Sequence, residues 1–155
     1  MTNDQAKPLV QEWERATLGA KDYIDAMPDD KLSFRPVPEV LSFAGQFLHV
    51  ADANYIFAAA AFGIENTRAG KSENNPELQV KPALLEFVLA SYNSIVKGIQ
   101  GFDPAAFDQE VPFFKWTMPR HLLLSKAFEH HAHHRGQTAI YFRLNGITPP
   151  SERLF

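Results

Sequence analysis

Five of the six histidines lie between His121 and His134, and four of them form the run His130-His131-Ala132-His133-His134. Imidazole is the commonest metal-ligating side chain. Residues four apart on an α-helix project from one face a turn apart, so His130 and His134 can offer ring nitrogens to one ion. His131 and His133 diverge from that direction, and His121 has no evident role. Two imidazoles leave a first-row metal under-coordinated, and His49 is the one distant histidine in a helical setting. Three imidazoles at about 2.0–2.1 Å would hold zinc or a similar ion and leave a position open, an arrangement suited to reaction rather than to structure. Such a position lets a water or a thiol ionise near neutral pH. Plainer readings compete with this one. A pair four apart also occurs on a solvated polar face or as an adventitious chelator, and a single histidine on a partly apolar helix is ordinarily a hydrogen-bonded core or boundary residue.

Other residues could assist. Ligating imidazoles usually donate their second nitrogen to a carboxylate or carbonyl. Asp52, three residues after His49, is a candidate for that role or for a catalytic base, with an ordinary helix-surface carboxylate as the alternative. Glu129 should point about 100° away from His130, which speaks against a direct part. Position 131 is histidine where the zinc-protease pattern needs glutamate, so peptide hydrolysis by that route is disfavoured. Arg135 follows a ligand by one position and is read as structural, pairing with a carboxylate or capping a neighbouring segment; Gln137 is read likewise. Phe113, Phe114 and Trp116 either wall a pocket near the histidines or belong to the core.

The elements that must position these residues are helical. From Asp4 to Met27, Leu9, Trp13, Ala16, Ala20 and Tyr23 recur three or four apart between charged residues, predicting an amphipathic helix. Arg35-Pro36-Val37-Pro38 cannot continue it, because each proline drives its predecessor toward an extended conformation. A second helix carrying His49 is predicted from the cap Ser42 to Gly63. Its run Ala58–Ala61 would allow a neighbouring helix, from this or another subunit, to approach closely. The polar stretch from Ile64 to Val80 is longer than the usual connection between antiparallel neighbours and is compatible with a crossover between helices pointing the same way. A third helix is predicted from Pro82 to Gly101. Phe102 to Trp116, broken by Pro104 and Pro112, has room for a short extended piece, and a fourth helix follows from Arg120 to Leu144, with Thr117 as its cap and Asn145-Gly146 as its stop.

Composition narrows the possibilities further. The 155 residues carry 45% apolar and 21% charged side chains, values that fit one globular domain spanning residues 1–155. The net charge is -3 and the basic residues are dispersed, which disfavours nucleic acid as a partner. There is no cysteine, so any reacting thiol must arrive with a small molecule. Neither a signal peptide nor a membrane span is legible, and a cytoplasmic protein without membrane association is expected.

Three segments together resemble the DinB/YfiT-like family of metal-dependent enzymes: Phe43-Ala44-Gly45-Gln46-Phe47-Leu48-His49-Val50-Ala51, His130-His131-Ala132-His133-His134-Arg135-Gly136-Gln137, and Leu144-Asn145-Gly146-Ile147-Thr148-Pro149-Pro150. Lys31-Leu32-Ser33-Phe34-Arg35-Pro36 extends the likeness, which covers nearly the whole chain. The resemblance implies an all-α, four-helix bundle of up-down-down-up topology with a long crossover between the second and third helices. It implies His49, His130 and His134 as ligands of zinc or nickel, a homodimer, and a low-molecular-weight thiol transferred to small electrophiles or assisting an isomerisation. The function expected is metal-dependent activation of a small thiol or water toward a small-molecule electrophile. A non-catalytic protein stabilised by the metal is the alternative, and a metal-independent homodimeric module with an incidental histidine patch is a third.

Overall fold

The computed structural model describes residues 3–66, 70 and 72–154. Four helices, α1 (Asn3–Ala26), α2 (Phe43–Phe62), α3 (Lys81–Gly101) and α4 (Arg120–Leu144), form an up-down-down-up bundle. Their limits fall within a residue or so of the pattern-based expectations, because the terminal signals are local. The Ser42 hydroxyl accepts the Gly45 N–H at 3.0 Å and caps α2, while Gly63 closes the same helix at φ 68°, a left-handed conformation that glycine adopts without steric cost.

Helix α2 packs against both α3 and α4, and α1 packs against α3. It is accordingly buried almost all round, through Phe43, Phe47, Leu48, Val50, Ala51 and Phe57. Ala58 and Ala61 are buried within this same bundle, and Gly98 of α3 lies so close to the Phe62 ring of α2 that any Cβ there would collide with it. Gly98 thus serves a close approach of α3 to α2 inside the chain. Helices α1 and α4 meet through large rings instead: Trp13 stands 5.4 Å from Phe128 and 5.8 Å from His131, and Tyr23 stands 5.5 Å from Phe142, centroid to centroid. Side chains of that size hold the two backbones further apart.

The crossover from α2 to α3 contains two short turns, Ser72–Asn74 and Pro76–Leu78. Between α3 and α4 a hairpin is formed by β1 (Glu110–Phe113) and β2 (Trp116–Pro119), with Phe113 opposite Trp116. This corrects the expectation for Thr117, which lies in β2 and does not cap α4; Pro119 occupies the cap position and provides no side-chain hydrogen bond. The turn residue Phe114 has φ 52°, costing about 1–2 kcal/mol for a residue with a Cβ. Arg120, only 7% exposed, fastens the junction by donating to the carbonyls of Ala61 and Ala106 while lying over the Phe102 ring. Among the described residues no helix is long and apolar enough to cross a membrane.

Candidate metal centre

Rings from α2 and α4 converge. The centroid of His49 lies 5.1 Å from that of His130 and 4.6 Å from that of His134, and the two α4 rings are 4.5 Å apart. One nitrogen from each falls within 4.8 Å of the other two, so the three histidines could hold a metal ion. No other group of three or more histidines and carboxylates with this geometry occurs among the described residues.

Two of the rings have their Nδ1 nitrogen engaged. His49 Nδ1 lies 3.0 Å from a carboxylate oxygen of Glu73, an acceptor that places the proton of the neutral ring on Nδ1 and leaves Nε2 with its lone pair free. His134 Nδ1 is 2.6 Å from Gln46 Oε1. The orientation of that amide follows from its other partners: Tyr141 donates its hydroxyl to the Leu41 carbonyl at 2.8 Å, so its oxygen accepts from Gln46 Nε2 at 2.9 Å. Gln46 Nε2 also donates to Gln137 Oε1 at 3.0 Å. Its carbonyl oxygen is then the acceptor for a His134 Nδ1–H, and His134 Nε2 is left for ligation. His130 is held differently. Its Nδ1 is buried without a hydrogen-bond partner, and the ring is flanked by Phe57 at 6.2 Å. An orphaned ring nitrogen is costly, and a metal bound at this Nδ1 would supply the partner it lacks.

Electrostatics agree with ligation. Burial, reinforced by the neighbouring histidines, lowers the pKa values of His130 and His134 to about 4. Both are neutral at pH 7, the state in which imidazole binds a metal. Three imidazoles in this arrangement could hold a metal ion.

The remaining candidates are distributed as follows. Asp52, 9% exposed, accepts the Ser72 N–H and Ser72 hydroxyl, each at 2.8 Å. Its pKa is raised by burial against the lowering effect of those bonds. It lines, with His49, Glu73 and His130, a cleft of about 340 Å3. A second, open cleft of about 500 Å3 reaches His130 from the side of Lys126, Glu129 and His133. Glu129 is turned to Lys126 at 2.8 Å, and His121 lies 3.2 Å from the Phe107 carbonyl. Phe114 and Trp116 are 82% and 59% exposed and line neither cleft beside the histidines; Phe113 reaches inward, stacked on Phe57 at 4.8 Å. Arg135 has no carboxylate partner among the described residues, contrary to the expectation of a pair. His131 points into the core, 1% exposed, with its Nδ1 3.4 Å from the Tyr92 hydroxyl.

Sequence reasoning missed Gln46 and Glu73. Gln46 precedes His49 by three residues on α2, so their shared face was the available signal. Glu73 stands in the crossover, where no periodicity locates it.

The DinB family model matches residues 1–153. The chain belongs to the DinB family. Similar solved structures include a DinB-like protein from Bacillus cereus ATCC 10987, at TM-score 0.78 and 20% identity over 91% of this chain and 93% of that one. Another is a DinB-like protein from Bacillus subtilis, at TM-score 0.74 and 18% identity over 94% and 98% of the two chains. At such identity the likeness to each is one of fold. No curated protein matches this DinB-family chain.

Proposed function

We propose that this DinB-family chain is a metal-dependent enzyme in which His49, His130 and His134 hold one divalent ion, zinc or nickel, for thiol transfer to, or hydrolysis of, a small electrophile. The observation that carries the reading is the convergence of three imidazoles from two helices, with one ligand nitrogen from each within 4.8 Å of the others. The ion would supply Lewis acidity that makes a small thiol or a water nucleophilic near neutral pH. The protein contributes no thiol of its own, so the thiol would be a low-molecular-weight one. Glu73 and Gln46 hold the rings of His49 and His134 in tautomers that direct Nε2 to the ion. Asp52, proposed from the sequence as a catalytic group, has both carboxylate oxygens engaged by Ser72; we assign it first to anchoring the crossover segment that presents Glu73. A homodimer in the cytoplasm is part of the same proposal.

The clefts favour turnover over a purely structural ion. That of about 340 Å3 beside His49 and His130 is within the roughly 300–1,000 Å3 of small-molecule sites, and no fourth histidine or carboxylate joins the three among the described residues. The test is His130→Ala in metal-loaded protein: stoichiometric metal, read by elemental analysis, and thiol-transfer or hydrolytic turnover should be lost together. Full turnover without bound metal would remove the proposal.

A further inference from the structure

A cavity of about 760 Å3 lies between α4, the end of α1 and the segment following α4. Tyr23, Arg135, Arg143, Thr148, Ser151 and Glu152 line it, and none of the three converging histidines does. With 100° of rotation per residue, Ala139 and Arg143 project roughly opposite to His130, so cavity and histidines occupy different sides of one helix.

Two donors in this cavity lack partners. The Arg135 guanidinium, half-buried, makes no hydrogen bond or ion pair with the described residues. Its Nη1 lies 2.9 Å from where a Cβ of Gly19 would stand, so the absence of a side chain on α1 makes room for it. Tyr23 is 6% exposed, and its hydroxyl likewise has no hydrogen-bond partner among the described residues. Arg135, Arg143 and Glu152 line the same cavity as that hydroxyl's ring. Arg143 donates to the Ala139 carbonyl at 3.1 Å and adds a second positive charge, leaving two guanidiniums against the one exposed carboxylate of Glu152. Both donors face the cavity, and the planar fork of a guanidinium matches carboxylate and phosphate oxygens.

We propose that this cavity is a binding site for a small carboxylate- or phosphate-bearing molecule, held by the Arg135 guanidinium with the Tyr23 hydroxyl as second donor. The site does not depend on the histidine cluster and stands or falls separately from it. Its volume suits a small metabolite, and the Thr148 and Ser151 hydroxyls offer further polar contacts around the anionic head.

Amide NMR spectra of the full chain, titrated separately with inorganic phosphate and with malonate at ionic strength held constant by chloride, test the proposal. At least one of the two should shift the amides of Gly136, Ile147 and Thr148 saturably while those of Gln46 and His49 stay in place; which anion does so distinguishes phosphate from carboxylate recognition. Arg135→Gln should weaken binding about tenfold or more, as expected for loss of a charged hydrogen-bonding partner. Gly19→Ala, which displaces the guanidinium, should act in the same direction. Tyr23→Phe keeps the ring contact with Phe142 and should weaken binding about threefold; it decides the matter if Arg135→Gln fails to fold. Shifts that never saturate or that chloride reproduces mean an adventitious ion only and overturn the proposal. So do shifts centred on His49, equal binding by the variants, or a cavity covered by a second copy of the chain as protein concentration rises.

Discussion

His49 and His134 have their Nδ1 nitrogens engaged by Glu73 and Gln46, whereas the His130 Nδ1 is sealed away without a partner. The three rings therefore depend on different supports. The Gln46 amide is fixed by Tyr141 and Gln137 on one end and serves His134 with the other, so a change at Tyr141 would reach the site through two bonds. Glu73 supports His49 by one contact, from a segment that Asp52 anchors through Ser72. Outer partners of this kind are worth about 10–100-fold in metal affinity. Glu73→Gln should accordingly weaken zinc binding by about tenfold with the fold intact, as read by competition against a chromophoric chelator. An unchanged affinity in both Glu73→Gln and Glu73→Ala would reduce the contact to an incidental surface pair.

Helix α4 has a different task on each face: one edge carries His130 and His134, another Arg135, and the inward face buries Leu123, Leu124, Ala127, His131, Thr138, Tyr141 and Phe142. His131 is the unusual member of that face. It is enclosed by Trp13, Tyr92 and Phe128, with its Nε2 unpartnered, and burial lowers its pKa to about 3. In the unfolded chain the same ring titrates near 6.5, so below that pH the unfolded state binds the extra proton. Stability is therefore fully kept above about pH 6.5 and falls as pH drops toward 3, by up to about 1.4 kcal/mol per pH unit for this one ring. His130 and His134 add slopes of the same sign until about pH 4. In metal-free protein, denaturant unfolding between pH 6.5 and 4 should show a shallower decline for His131→Leu by about one proton. The Tyr92 hydroxyl loses its partner in that variant, which offsets stability equally at every pH and leaves the slope diagnostic. An identical slope in the two proteins would mean that His131 is protonated in the native state.

At the scale of the whole molecule, His49 and His130 stand on helices separated in sequence by the crossover, by α3 and by the hairpin, so an ion shared by them would clamp α2 to α4. A ligand bound only by the folded chain stabilises it by about 2.7 kcal/mol at one hundred times its dissociation constant, or about 6–10 °C in Tm for a chain of this size. Zinc added to chelator-treated protein should raise Tm by about that amount, and His49→Ala should abolish most of the rise. An equal rise in the variant would place the ion on the α4 pair alone. What could be read from the chain unaided was whatever nearby residues settle among themselves. The Ser42 cap and Gly63 stop of α2, the pairing of His130 with His134 one turn on, and the burial of Trp13, Ala16, Ala20 and Tyr23 all follow from spacings of three or four residues. The resemblance of its motifs to a known family carried the bundle, and the grouping of His49 with the α4 pair, further than spacing could. Only the tertiary structure brought Glu73 to His49 across 24 positions and Gln46 to His134 across 88, turned His131 inward, folded Glu110–Pro119 into a hairpin without a turn glycine, and left Arg135 and Tyr23 facing an open cavity. Each of these depends on which surfaces meet when the helices pack, and no local periodicity encodes that choice.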